Sequence, residues 1–375
     1  MASSSRPFRF YDNRQKYLAF VTACNEKSKI AQRAAQELTY VRPTPPSVRL
    51  FDAGMGDGTL LSHIMRATHQ QFPTVPLYVV GKEISLEDIR LSLEKLPDRF
   101  VEHPASVVVF TNLYYAEAPW LRVNEPRKQT DINWLDVPLT GQTAHAFGDQ
   151  LRGLDPELVE GWKVVAGKKT GNPLYAKPSV LVLYREDHKF LLDAVIPRPD
   201  THQADYDLTL VSQPWRASMS AEFKVNRVLA PMVEGLAPSG RALVAQSCGN
   251  DPGLELVREV WPDADPFKVS RHDLITTLRD YLGPRLSEFK IQGISDADSI
   301  LSYEMHTLPD EIQSMIGTST LFAAWNAAIY VAQIEDEKLE SVLTTGAYLE
   351  CTARILQKHR GLWFNDETFV ISRSA

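Results

Sequence analysis

The chain has 375 residues, with 40 Lys and Arg against 47 Asp and Glu and a formal net charge of -7. That balance disfavours a broad nucleic-acid footprint, which depends on clustered Lys and Arg, while the length accommodates one large α/β domain with insertions, or two domains. Cys24, Cys248 and Cys351 are far apart and form no C-x-x-C pair, so they offer neither a zinc site nor a disulfide frame, and no metal is expected. MASSSRPFRF lacks the apolar region of a secretory signal and no run of about 18 apolar residues follows, so the expectation is a soluble cytoplasmic protein with no membrane partner.

Residues 1–10 read as a disordered tip. From Tyr11 to Leu38 the residues Tyr17, Leu18, Phe20, Val21, Ile30, Ala31 and Ala34 recur at roughly helical spacing, which places one or two helices ahead of the sheet. Val41–Ser47, with Pro43, Pro45 and Pro46, is an extended linker. Val48–Phe51 is then apolar at three of four positions and reads as the first strand. It runs into Asp52-Ala53-Gly54-Met55-Gly56-Asp57-Gly58-Thr59 and leaves as an amphipathic helix through Leu60, Leu61, Ile64 and Met65. Three alternating glycines at a strand-to-helix junction let the backbone bend and let a ligand approach where a Cβ would collide. Dinucleotides and S-adenosylmethionine both use such turns. The dinucleotide pattern, G-x-G-x-x-G, sets a pyrophosphate over a helix N-terminus. Here the order is D-x-G-x-G-x-G, and Asp52 and Asp57 would repel a pyrophosphate but suit a ligand with an ammonium and a sulfonium.

The second strand, within Pro76–Ile84, ends in Glu83 and is followed by Ser85 and a helix through Leu86, Ile89, Leu91 and Leu93. A carboxylate at that tip is placed to accept hydrogen bonds from the ribose hydroxyls of a nucleoside. Through DAGMGDG and then GKEIS the chain resembles the class I S-adenosylmethionine-dependent methyltransferases. The resemblance implies that Asp52, Gly54, Gly56 and Gly58 line the methionine part of the cofactor, with Asp57 beside them, and that Glu83 holds the ribose. It also implies that the N-terminal segment folds over the cofactor, with Tyr11, Asn13, Arg14, Tyr17 and Asn25 as candidate contacts.

Ala105–Phe110 is a β-branched third strand ending in Thr111-Asn112. In the family a residue just past this strand bonds the adenine amino group, usually from an Asp. Asn112 holds that place here, and its amide oxygen can accept the same bond. Residues 116–205 form an insertion, since a doubly wound unit needs only a helix at this point. Pro178–Ile196 reads as a β-hairpin around Arg185-Glu186-Asp187-His188, and Lys163, Lys168 and Lys169 make a small basic cluster. The fourth parallel strand, Tyr206–Val211, ends in Ser212-Gln213-Pro214-Trp215. This tetrapeptide is similar to the strand-end motif of methyltransferases that act on amino groups. There a polar side chain and a backbone carbonyl accept the amino hydrogens while an aromatic ring packs on the substrate, which makes Ser212, Pro214 and Trp215 the catalytic candidates.

A helix over Ala221–Leu236, a fifth strand Gly240–Gln246, a helical segment Gly253–Leu282, strands at Phe289–Ile294 and Ile300–Leu308, a helical stretch Asp310–His359 and a final strand Leu362–Ser372 complete the reading. Phe322, Trp325, Asn326 and Tyr330 fall on neighbouring turns of the helical stretch, and Trp325, Asn326 and Tyr330 join Tyr17 as candidate substrate contacts.

The expected fold is a seven-stranded, mostly parallel, doubly wound sheet with its last strand antiparallel. It comprises an N-terminal helical cap (1–40), a Rossmann-like core (41–115, 206–309 and 360–375), the insertion (116–205) and a helical lid (310–359). The expected function is methyl transfer from S-adenosyl-L-methionine to a small-molecule acceptor, at nitrogen rather than oxygen; the sequence sets no oligomeric state and leaves a homodimer open. Two other readings stand beside it: amino-group methylation of a nucleic acid or protein, and a regulatory protein that binds the cofactor without transferring a methyl group.

Overall fold

The computed structural model of the chain describes residues 14–124, 131–167, 173–199, 202–307, 309–312, 316–344 and 346–375. The expected tip 1–10, Tyr11, Asn13, Lys168 and Lys169 lie outside the described residues. Helices Arg14–Ala23 and Glu26–Leu38 come first. The strands are β1 (Val48–Asp52), β2 (Leu77–Lys82), β3 (Ser106–Thr111), β4 (Asn133–Leu139), β5 (Val164–Ala166), β6 (Pro173–Tyr175), β7 (Ser179–Arg185), β8 (Tyr206–Ser212), β9 (Leu236–Ser247), β10 (Phe289–Ile291), β11 (Ile300–Glu304) and β12 (Trp363–Arg373).

The main sheet has ten strands in the order β10-β12-β9-β8-β1-β2-β3-β7-β4, with β11 also on β12. The five strands β3, β2, β1, β8 and β9 are parallel, and β12 runs antiparallel to β9. Two departures take the sheet beyond the expected seven. The insertion adds β7, antiparallel to β3, and β4, parallel to β7, and the far edge is shared by β10 and β11 on one long β12. The hairpin expected over Pro178–Ile196 is corrected. After β7 the chain turns into the short helix Lys189–Leu192, in which Leu192 is buried and Phe190 stays in solvent, and Val195 and Ile196 pack on the core beyond it.

Apolar side chains cover both faces. Phe51, Tyr78, Val80, Val107, Val109, Val211 and Val244 pack on one, and Leu50, Val79, Val108, Leu208, Leu210, Leu243 and Val370 on the other. Alternation along each strand fixes this assignment. Helices Glu26–Leu38 and Thr59–Gln71 cover the second face through Ile30, Ala34, Leu60 and Ile64. A third cluster joins helix Arg14–Ala23 to helix Thr318–Val331 through Phe20, Ala324, Trp325 and Ala328. Among the described residues no helix is long and apolar enough to cross a membrane.

Candidate functional site

The chain proceeds from β1 to β2 and β3 on one side and reaches β8 and β9 on the other, so strand order reverses between β1 and β8. A crevice opens at the carboxyl ends of the strands at such a reversal, and the glycine turn lies there. Gly56 (φ +53°) and Gly58 (φ +75°) hold left-handed conformations that a side chain would strain. The Ala53 N–H donates to Leu210 O at 2.9 Å, Gly54 N–H to Asp52 Oδ1 at 3.2 Å, Met55 N–H to Lys82 O at 3.3 Å and Gly56 N–H to Glu83 Oε2 at 3.1 Å. Glu83 Oε1 accepts the N–H groups of Ile84 at 2.7 Å and Ser85 at 2.8 Å. The acid at the tip of β2 therefore reaches across to the turn after β1 and fastens it.

Asp57 is bound on every side. Thr59 Oγ1 donates to its Oδ2 at 2.5 Å, Lys95 Nζ lies 3.3 Å from Oδ2, and Tyr17 Oη donates to Oδ1 and accepts from the Asp57 N–H, both at 3.1 Å. Burial works against its charge, but Thr59, Lys95 and Lys27 together hold its carboxyl below the usual range. Its visible work is to lock the turn rather than to offer a free oxygen. Tyr17 comes from the N-terminal helix and lies over Gly56, with its hydroxyl where a Cβ at that glycine would be, while Ser92 fills the space beside Gly58 and Pro214 Cβ would lie 3.3 Å from a Cβ on Gly54.

Asp52 differs. It is fully buried, Oδ1 takes the Gly54 N–H, and Oδ2 has no partner. Burial pushes its carboxyl up to about 7, against the Gly54 amide and Lys27, with Glu83 adding to the rise.

Asn112, expected at the adenine, has its side chain occupied elsewhere. Nδ2 donates to Gly161 O at 2.9 Å and to Lys177 O at 3.0 Å, and Oδ1 accepts the Ser179 N–H at 2.8 Å. Both donors are used, so the amide pins the insertion to β3. From that insertion Trp162 Nε1 donates to Glu83 O at 2.8 Å.

The β8 end is also rearranged relative to the amino-group motif. Tyr115 Oη donates to Pro214 O at 2.8 Å, which occupies the carbonyl that the motif would turn to the acceptor. Trp215 is buried in the core, its Nε1 donating to Gln246 Oε1 at 3.3 Å. What remains is Ser212, buried, with an Oγ that has no partner. The lid candidates divide. Tyr330 lies 5.9 Å, ring to ring, from Tyr17 and within the fields of Glu26, Glu83 and Asp57, beside the crevice. Asn326 Nδ2 donates to Lys16 O at 2.9 Å, tying helix Thr318–Val331 to the N-terminal helix. Trp325 packs between Trp261 and Tyr348.

Two residues at the crevice were not singled out in the sequence. Lys27, at the start of helix Glu26–Leu38, lies 2.9 Å from Glu26 Oε2 and within the fields of Asp57 and Asp366. Asp366, in β12, is fully buried with Oδ2 unpartnered. Its sequence signal was the acidic pair Asp366-Glu367 within the final strand.

No family model matches the sequence, and no curated protein matches it. Among solved structures, the chain is similar to a geranyl diphosphate methyltransferase in complex with GPP and sinefungin, at 12% identity and a TM-score of 0.33, covering 91% of this chain and 77% of that one. It is also similar to a loganic acid methyltransferase with SAH, at 9% identity and a TM-score of 0.39, covering 100% and 98%. Similarity at this level says nothing of chemistry, which has to come from the crevice itself.

Proposed function

We propose that the chain binds S-adenosyl-L-methionine in the crevice between β1 and β8 and transfers its methyl group to a small-molecule acceptor, at nitrogen rather than oxygen. The observation that carries this is Asp52: a fully buried carboxylate beside the glycine turn, with one oxygen that no group among the described residues hydrogen-bonds. An unmet buried charge of this kind costs several kcal/mol in principle, of order 1–3 for the hydrogen bond alone, and a cation in the crevice removes that cost.

The surrounding residues fit the cofactor in part. A carboxylate offers about four lone-pair sites, and three of those on Glu83 are taken by Gly56, Ile84 and Ser85, which leaves one for a ribose hydroxyl. Gly54 keeps the turn free of a side chain on its Pro214 side, whereas the Tyr17 hydroxyl over Gly56 has to yield to a ligand that lies there. When bound, the cofactor supplies a methyl carbon already activated by a sulfonium, so the protein's task is alignment rather than activation. The free acceptors on the β8 side, Ser212 Oγ and the carboxylates near it, suit the N–H groups of an amine.

Calorimetric titration of the full chain with S-adenosylmethionine and S-adenosylhomocysteine tests the reading. One-to-one binding of both is expected, and absence of binding for both overturns it.

A further inference from the structure

The proposed function leaves open what holds the acceptor, since the Pro214 carbonyl and the Trp215 ring are both engaged. The sheet supplies an answer from its register. On β1 Asp52 shares the face of Leu50, on β8 Ser212 shares that of Leu208 and Leu210, on β9 Ser247 shares that of Leu243, and on β12 Asp366 shares that of Val370. β8 pairs with β9 so that Ser212 lies opposite Ala245, and β9 pairs with β12 so that Ser247 lies opposite Asp366. Asp52, Ser212, Ser247 and Asp366 thus form a diagonal row across four adjacent strands, on one face and towards the carboxyl ends of the parallel strands: Asp52 lies opposite Leu210, two residues before Ser212, and Ser247 lies two residues beyond Ala245, the partner of Ser212. The start of helix Glu26–Leu38 lies over that face and brings Glu26, itself buried, and Lys27 to it.

The row is partly satisfied, and the pattern of what is missing is informative. Asp366 Oδ1 accepts from Gln213 Nε2 at 3.1 Å and from Ser247 Oγ at 3.0 Å. Two donors therefore fix the carboxylate's orientation. Gln213, which provides one of them, holds φ at +48°, a conformation costly for a non-glycine residue and kept only where the surroundings over-determine it. Asp366 Oδ2 and Ser212 Oγ, both more than nine-tenths buried, have no hydrogen-bond partner among the described residues. A carboxylate held through one oxygen by Gln213 and Ser247 and open on the other, with the unbonded Ser212 hydroxyl on the same face, describes a site for a donor that carries positive charge.

We propose that Asp366 Oδ2 and Ser212 Oγ are the subsite for an ammonium group on the methyl acceptor. The acceptor class is then an amine that is protonated in solution; an ammonium has no lone pair, so the bound group passes one proton to the Asp366 carboxylate before its neutral nitrogen can accept a methyl group. Lys27 is the resident cation of this acidic face, and the acceptor's ammonium takes over its role when it enters. Burial, with Glu26 adding to it, pushes the Asp366 carboxyl well up from its usual range, against Ser247, Lys27 and Gln213.

This inference rests on the methyltransferase reading, and the test separates the two. Full-length protein is first titrated with S-adenosylhomocysteine; failure of that step removes the methyltransferase reading itself. The protein saturated with S-adenosylhomocysteine is then titrated with butylammonium and, separately, with butan-1-ol, which has the same chain and no charge. Butylammonium is expected to bind and butan-1-ol not to. Asp366→Asn, which keeps the oxygen that Gln213 and Ser247 use, should weaken butylammonium at least tenfold while leaving S-adenosylhomocysteine within about twofold. Ser212→Ala, a smaller change, should weaken butylammonium about threefold. Equal binding of the amine and the alcohol, an amine that does not bind the saturated protein, or an Asp366→Asn variant that binds the amine as tightly as the parent would each overturn the proposal.

Discussion

The two halves of the crevice handle their acids in opposite ways. On the β1–β2 side Glu83 and Asp57 are hydrogen-bonded by backbone amides, Thr59, Lys95 and Tyr17, so the glycine turn is held before any ligand arrives. On the β8–β12 side Asp366 is oriented by Gln213 and Ser247, and both it and Ser212 keep an oxygen that no described residue hydrogen-bonds. Asp52 stands at the boundary, with one oxygen of each kind. The difference teaches that the first half is pre-organised by local contacts, whereas the second depends on a partner from outside to complete it. Pre-organisation lowers the cost of binding, so substitutions on the first side should act on cofactor affinity and those on the second on the acceptor.

The largest effect should come from breaking the first half at Glu83. Glu83→Ala removes the acceptor for three backbone N–H groups and loosens the turn after β1. Charge-assisted hydrogen bonds contribute about 1.5–3 kcal/mol each when buried, and Glu83 is only half-buried, so a total near 3 kcal/mol and at least about 100-fold weaker S-adenosylhomocysteine binding are expected. Glu83→Gln keeps one acceptor oxygen and should lose about tenfold. Calorimetry reads both. If Glu83→Ala binds as the parent does, the turn is not organised by that carboxylate and the comparison above fails on its first side.

The same contrast explains what the sequence could and could not disclose. The glycine turn and its acids are linked by contacts between residues close in sequence or at the tips of adjacent strands, and a linear pattern of Gly, Asp and Glu records them directly. The strands β2 and β3 were readable for a similar reason, because buried parallel strands are near-continuous apolar runs, and β1 and β8 because apolar residues return at every second position. β4 was not, since NWLDVPL carries an Asp and a Pro and is only half-buried at the sheet edge. Asn112 was legible as polar at the right place, but its partners at Gly161, Lys177 and Ser179 lie 49 to 67 residues away in an insertion whose path no local signal gave. Asp366 meets Ser247 only through the pairing of β9 with β12, so its open oxygen is a product of register and invisible in the chain.

A second prediction works at the boundary, through pH. The Asp52 carboxyl titrates near 7 in the fold, raised by burial against the Gly54 amide and Lys27. The folded state thus keeps a proton that the unfolded chain releases near pH 4. Stability from this group is fully present below about pH 4 and is lost as pH rises through about 7. Binding of a cation runs the other way, because it needs the ionised carboxylate. Between pH 6 and pH 8 the ionised fraction rises about tenfold for such a group, and the affinity for S-adenosylmethionine relative to the neutral S-adenosylhomocysteine should rise by up to that factor. Asp52→Asn retains the oxygen that accepts the Gly54 N–H and should give a ratio that does not change with pH. A parent ratio flat over this range would show that Asp52 does not face the sulfonium.

The smallest expected effect sharpens the second half. Tyr115→Phe removes the hydroxyl that occupies the Pro214 carbonyl, at a stability cost of about 1 kcal/mol, while its ring keeps its place against Lys82 Nζ, 4.5 Å from the centroid. The substitution therefore opens the carbonyl that the amino-group motif would use and leaves Asp366 and Ser212 untouched. If those two residues hold the amine, butylammonium binding to the saturated protein should stay within about twofold of the parent, since the amine gains no contact it needs. If the carbonyl is the true acceptor contact and Tyr115 merely masks it, binding should instead strengthen several-fold. The outcome assigns the amine to the row of side chains across β8 and β12 or to the backbone of the turn after β8, a choice that Asp366→Asn alone would leave to the electrostatics of the whole crevice.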